Sequence, residues 1–180
     1  MRNIRMLTVA ISILVLTGCA TVPRLPGDEE ARLNSELESI ISTKPASANP
    51  DDTEIKIPEN LVSESGFIWP IKNTVLNNMG TGGINIKAKA GEPVKAVKSG
   101  VVSFVSERFE GYGKIINIKH TDGFVSVYAY NSEILVQLNQ VVKQGDIIAK
   151  AGQTGRAETP ELHFRLFHNE QPVNPMSYLP

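Results

Sequence analysis

From Gly66 to Pro180 the chain runs as short β-branched or aromatic stretches cut apart by glycine, and that rhythm restricts the fold more than any other feature. Val101–Val105, Ile115–Ile118 and Phe124–Tyr128 are separated by Gly111-Tyr112-Gly113 and by Asp122-Gly123. Runs of this length, bounded by residues that favour turns, read as strands joined by tight connections. Further short strands are expected at 84–87, 94–97, 147–150 and 162–167. No sustained helical period follows Gly66. About 115 residues suffice for one small core but not for two. The expected fold is all-β, two packed or partly rolled antiparallel sheets, over residues 66–180.

The beginning of the chain has another character. Arg2 and Arg5 precede an apolar run from Leu7 to Leu16, too short for a membrane span of roughly 20 residues and suited to a secretory signal. The run closes in Leu16-Thr17-Gly18-Cys19, which resembles the lipoprotein box of bacteria. The resemblance implies a signal over residues 1–18, lipidation of Cys19 and attachment to a membrane through it. With Ala20 rather than aspartate following, it implies the periplasmic face of the outer membrane. One acyl chain holds a protein only marginally, and a triacylated cysteine meets the need for more. Cys19 is the only cysteine, which excludes an intrachain disulfide.

Residues 19–65 read as a mostly disordered tether, rich in proline and poor in aromatics, unable to bury enough apolar surface to offset ordering. One island differs. Asp28 suits a helix cap, and Leu33, Leu37 and Ile40 fall at helical spacing, predicting a short helix near 28–42. Such a helix either packs on a partner or is marginal and transient, and the instability of short isolated helices favours the second. Charge divides at the same boundary. Residues 20–65 hold four basic and ten acidic residues, whereas 66–180 hold twelve and nine. A mildly basic domain on an acidic tether suits an anionic polymer such as the cell wall. No basic patch interleaved with aromatics, as nucleic acid requires, is present.

Several segments of the domain, in order, resemble the LytM (lysostaphin-like) zinc endopeptidases, which cut peptidoglycan peptides. They are Gly91-Glu92-Pro93-Val94-Lys95-Ala96, Gly111-Tyr112-Gly113, Ile118-Lys119-His120-Thr121-Asp122-Gly123, Gly152-Gln153-Thr154-Gly155 and the strand Glu161-Leu162-His163-Phe164. In that family the last strand reads HLHF, two more ligands lie in H-x-G-x-D, and another catalytic histidine lies in Y-A-H. The matching positions here are Glu161 and His163, Thr81 and Asn85, and Tyr130. Only His163 is kept. A catalytic zinc needs about three protein ligands, usually imidazole or carboxylate. A threonine hydroxyl and a neutral amide do not serve, and Glu161 with His163 makes only two. His120 and His168 stand on other strand positions and read as solvated or hydrogen-bonded. The resemblance therefore implies a hydrolase fold with no metal, no cofactor and no catalytic residue.

Together with the lipoprotein box and the closing segment Val173–Pro180, these losses resemble the NlpD and EnvC branch of murein hydrolase activators. That branch implies a non-enzymatic activator of periplasmic N-acetylmuramoyl-L-alanine amidases in septal cell-wall splitting. Thr81, Asn85, Tyr130, Glu161 and His163 would then line a partner-binding groove. The LysM wall-binding module usual in NlpD-type proteins has no counterpart in the tether. The alternatives are a passive peptidoglycan-binding outer-membrane lipoprotein and an active zinc endopeptidase. Residues 142–150 also resemble the β-hammerhead of lipoyl-like domains, which leaves the Glu161 strand unexplained.

Overall fold

The computed structural model describes residues 26–42, 57–58, 61 and 64–180. Cys19 and the expected signal lie outside them, as does most of the tether. Among the described residues there are one α-helix, α1 (Pro26–Ser42), and ten strands: β1 (Val75–Asn78), β2 (Ile84–Lys87), β3 (Pro93–Lys95), β4 (Gly100–Phe109), β5 (Gly113–Lys119), β6 (Phe124–Ile134), β7 (Val141–Val142), β8 (Ile147–Ala151), β9 (Glu161–His168) and β10 (Gln171–Val173). Every pairing is antiparallel, as short connections between successive strands permit. The expected all-β class is what forms. Its strands are joined in one branched hydrogen-bonded sheet, in the order β1-β2-β9-β6-β5-β4-β7, with β10 on β9 and the β3–β8 pair on β6.

The branch lies at Tyr130. Phe124 to Ala129 of β6 pair with β9 and Asn131 to Ile134 pair with β8. Between them Tyr130 takes φ 69°, a left-handed conformation that is unfavourable for a bulky residue. Its backbone N–H donates to the Tyr112 carbonyl at 3.0 Å, which holds the kink.

Side chains alternate across a strand, so β5, β6 and β9 serve two cores. One face sends Ile116, Ile118, Tyr128, Leu162, Phe164 and Leu166 into a cluster with Val94, Ile148 and Ala149. The other sends Ile115, Val127, Ala129 and Phe167 into a second cluster with Tyr112, Tyr130, Leu33 and Leu37. The helix expected near 28–42 is thus real, but it is not a free, transient one. Leu33 and Leu37 are 3% and 0% exposed because α1 lies on the chain's own sheet, and tertiary burial supplies the stability that an isolated helix lacks.

His120 is buried and hydrogen-bonded, the second of the two expected readings. Its Nδ1 meets the Ser99 carbonyl at 2.8 Å and its Nε2 meets Ser126 Oγ at 2.9 Å, beside the Tyr128 hydroxyl. Burial pushes its pKa down, so the ring is kept neutral. Glu64 accepts from the Ser99 backbone N–H at 3.0 Å, fastening the chain to the domain just before Gly66. Among the described residues no helix is long and apolar enough to cross a membrane.

Candidate functional site

Strand β9 lies between β2 and β6, and its odd-numbered residues Glu161, His163, Arg165 and Phe167 share the face that α1 covers. Register brings the expected residues together. Asn85 of β2 stands opposite His163, and Ala129 of β6 flanks it on the other side. The kink of β6 sets the Tyr130 ring 5.3 Å from the imidazole, centroid to centroid, and Tyr112 sits 5.4 Å from it.

Asn85 is the centre of a polar chain. Its Nδ2 donates to Glu161 Oε1 at 3.0 Å, and its Oδ1 receives His163 Nδ1 at 2.7 Å. An amide oxygen only accepts, so Nδ1 carries the ring proton and Nε2 is the bare nitrogen. His163 is 4% exposed. Burial first, and the Arg165 charge second, lower its pKa to about 3, so it is neutral at any physiological pH. Its Nε2 is buried without a hydrogen-bond partner. Glu161 is shifted upward, by desolvation and then by the neighbouring Glu158 carboxylate.

Thr81 is not part of this chain of bonds. It is exposed in the 3₁₀ turn Gly80–Gly82 that leads into β2. Of the five expected groove residues, Asn85, Tyr130, Glu161 and His163 converge and Thr81 stands apart.

The donor set does not suit zinc. The one imidazole has spent Nδ1 on an amide, Asn85 supplies no charge, and Glu161 is tied to Asn85. The described residues hold no group of three His, Cys, Asp or Glu side chains able to share a metal. A closed or catalytic zinc site needs more than these.

Sequence reasoning missed the rest of the face. Arg165 is 1% exposed, its guanidinium 4.9 Å from the Phe167 ring centre. Its Nη1 donates to Asn34 Oδ1 of α1 at 3.0 Å, and the Tyr112 hydroxyl donates to the same oxygen at 3.0 Å. Glu38, one helical turn on, reaches Arg165 only at 3.9 Å. Gly111, at φ 74°, leaves room for Leu33: a Cβ there would lie 2.5 Å from Leu33 Cδ1. The Gly111-Tyr112-Gly113 turn is thus also the seat of the helix. An arginine standing between the apolar residues Phe164 and Leu166 was the one available signal.

Residues 80–175 match the profile of Peptidase family M23. The chain is 32% identical over 162 residues to the lipoprotein YgeR of Escherichia coli, covering 87% of this chain and 64% of that one. It is 38% identical over 121 residues to the murein hydrolase activator NlpD of Escherichia coli, covering 64% of this chain and 32% of NlpD. Among solved structures, a zinc-containing peptidase from Vibrio cholerae superposes with a TM-score of 0.59 at 29% identity, over 65% of this chain and 41% of that one. The chain thus spans less than two thirds of the length of each of these proteins. It belongs to peptidase family M23, the LytM fold, and its relatives include NlpD and other lipoproteins.

Proposed function

We propose that this chain is a non-enzymatic activator of periplasmic N-acetylmuramoyl-L-alanine amidases in septal cell-wall splitting, held by Cys19 at the periplasmic face of the outer membrane. The observation that carries the reading is the closed bond chain from Glu161 through Asn85 to His163. It occupies the Asn85 amide, one Glu161 oxygen and the His163 Nδ1, and it leaves Nε2 as the bare, buried ring nitrogen. What it leaves is a face with an apolar floor and a polar edge, suited to another protein. The likeness to proteins named murein hydrolase activators supports the same direction. Activation on this reading is a population shift: the face binds the open form of the amidase better than the closed form.

The test is dye release from labelled cell wall by amidases of the same organism, with and without this chain. Stimulation is expected. Glu161→Lys reverses a charge at the edge of the face and should weaken a matched, desolvated contact by about 2–5 kcal/mol. Wall binding without stimulation of any amidase would replace this reading with a passive peptidoglycan-binding lipoprotein.

A further inference from the structure

The segment that precedes the domain is fastened to it twice, at opposite ends of β4. At the start of the strand, Glu64 accepts from the Ser99 backbone N–H at 3.0 Å, and the neighbouring Lys98 pairs with Asp122 in the turn between β5 and β6. At the far end, the turn between β4 and β5 receives α1: Gly111 leaves room for Leu33, the Tyr112 hydroxyl donates to Asn34 Oδ1, and Arg32 reaches Glu110 at 3.5 Å. The ten residues of β4 hold these two points roughly 30 Å apart. Chain coming from Cys19 meets α1 first. Cys19 stands seven residues before Pro26, and however the residues between them run, covalent geometry limits that span to about 25 Å. From Pro26 to Leu33 the helix adds about 10 Å. Cys19 is therefore kept within about 35 Å of the Gly111 turn. Without the α1 contact the domain would hang from Glu64 instead, on 45 residues that reach about 150 Å when extended.

We infer that one end of the domain is a membrane-facing surface, presented to the lipid by the docking of α1. Residues 109–113 and the adjoining turn 154–156, whose Arg156 N–H donates to the Gly111 carbonyl at 3.1 Å, stand toward the headgroups. Residues 121–123 and 169–170, joined by the Asn169 N–H to the Gly123 carbonyl at 2.9 Å, stand away from them. The inference rests on the reading of Cys19 as the lipid anchor. Length, not charge, sets the placement: residues 20–32, 107–114 and 154–158 together hold five basic and six acidic residues, which gives anionic lipid nothing to attract. A segment of 46 residues thus acts as a leash of seven. Whatever this chain acts on must come close to the membrane to meet it.

Two measurements test this, both on the chain from Cys19 onward, coupled through its only thiol to a maleimide lipid in phosphatidylcholine bilayers. In the first, twenty glycine and serine residues are inserted either after Ala20 or after Ala48, and neutron reflectometry reads how far the protein layer extends. The insertion after Ala20 should move the layer outward by about 25 Å. The same insertion after Ala48, between α1 and Glu64, should leave it in place. Equal shifts overturn the inference, as does a shift from the second insertion alone. Two unmoved layers also overturn it, since the domain would then be held by adhesion rather than by length. Neither insertion touches a residue that packs in the fold. Adding phosphatidylglycerol to the bilayer should not draw the layer inward, and a layer that follows lipid charge contradicts the account.

The second measurement reads orientation, with the chain coupled to nanodiscs that carry gadolinium on some headgroups. Amide signals of residues 109–113 and 154–156 should broaden, and those of 121–123 and 169–170 should stay sharp. Leu33→Asp with Leu37→Asp, which removes the apolar contacts of α1, should abolish that contrast or reverse it. Stronger broadening at residues 121–123 in the unaltered chain overturns the inference, because the chain would then hang from Glu64. Cys19 found without lipid in cells would end this inference together with the anchor reading, whereas equal insertion effects end this inference alone.

Discussion

His163 and Asn85 face each other across neighbouring strands, 78 positions apart in sequence, and share a 2.7 Å hydrogen bond in which the imidazole donates and the amide oxygen accepts. The position where the family keeps a carboxylate is thus engaged in holding one tautomer of one neutral ring. A neutral amide does this without charge, which is why the histidine tolerates burial so complete.

Replacing the amide tests that account. Asn85→Asp removes the Nδ2 donor from Glu161 and sets two carboxylates side by side, while giving His163 a negative partner. The His163 pKa should rise from about 3, and the variant should be about 1–3 kcal/mol less stable at neutral pH. Histidine titration by NMR together with urea denaturation checks both.

The stability of the domain should fall with acid before most carboxylates titrate. His163 has a folded pKa near 3 against an ordinary value of 6.5, and His120 is also shifted down. Between those values the unfolded chain binds more protons, so folding stability is lost as pH drops through 6.5 toward 3. In that window His163 contributes a slope of about 1.4 kcal/mol per pH unit, and His120 adds to the loss in the same sense. Glu161, shifted upward, acts in the opposite sense: the stability that its charged form costs the fold is regained as pH falls through its raised pKa. His163→Gln should remove about one proton from the slope between pH 6 and 5, read from urea midpoints across a pH series.

Zinc should be irrelevant to this fold. Purified without added metal, the domain should contain no stoichiometric zinc, and a chelator should leave Tm unchanged. A tightly held metal stabilises a protein by mass action, so a site of this kind would appear as a fall in Tm. One zinc per chain by elemental analysis would contradict the reading of Asn85, Glu161 and His163 given above.

Membrane attachment is tested at Cys19. The unaltered protein should take up labelled palmitate and fractionate with outer membrane, and Cys19→Ala should do neither. Equal labelling of the two would end the lipoprotein reading.

Much of this molecule could be read from its residues because a strand advertises itself locally. Runs such as Ile115–Ile118 and Phe124–Tyr128, each bordered by a glycine turn, specify strands whatever lies around them. The convergence of Asn85, Tyr130, Glu161 and His163 was legible only through the order of the family's segments, since they are brought together by pairings across β2, β9 and β6. The docking of α1 was not legible. Leu33 and Leu37 announce an apolar stripe, but a stripe does not name its partner, and the face it covers comes from strand residues Ile115 to Phe167, 78 to 134 positions away. Arg165 was hidden for a related reason: a charge in an apolar strand is explained only by what crosses it, and Asn34 crosses from the far end of the chain. Thr81 matches a motif position of the family and is exposed in the turn before β2, outside the hydrogen-bond chain of the other four.

The seated helix has one further consequence, and it concerns solubility. Ile115, Val127, Ala129 and Phe167 form a floor that water would otherwise wet. Contiguous apolar ground of that kind invites clumping. By carrying its own cover, the chain keeps a sticky surface dry, and a shortened form beginning after Ser42 should be the one that precipitates.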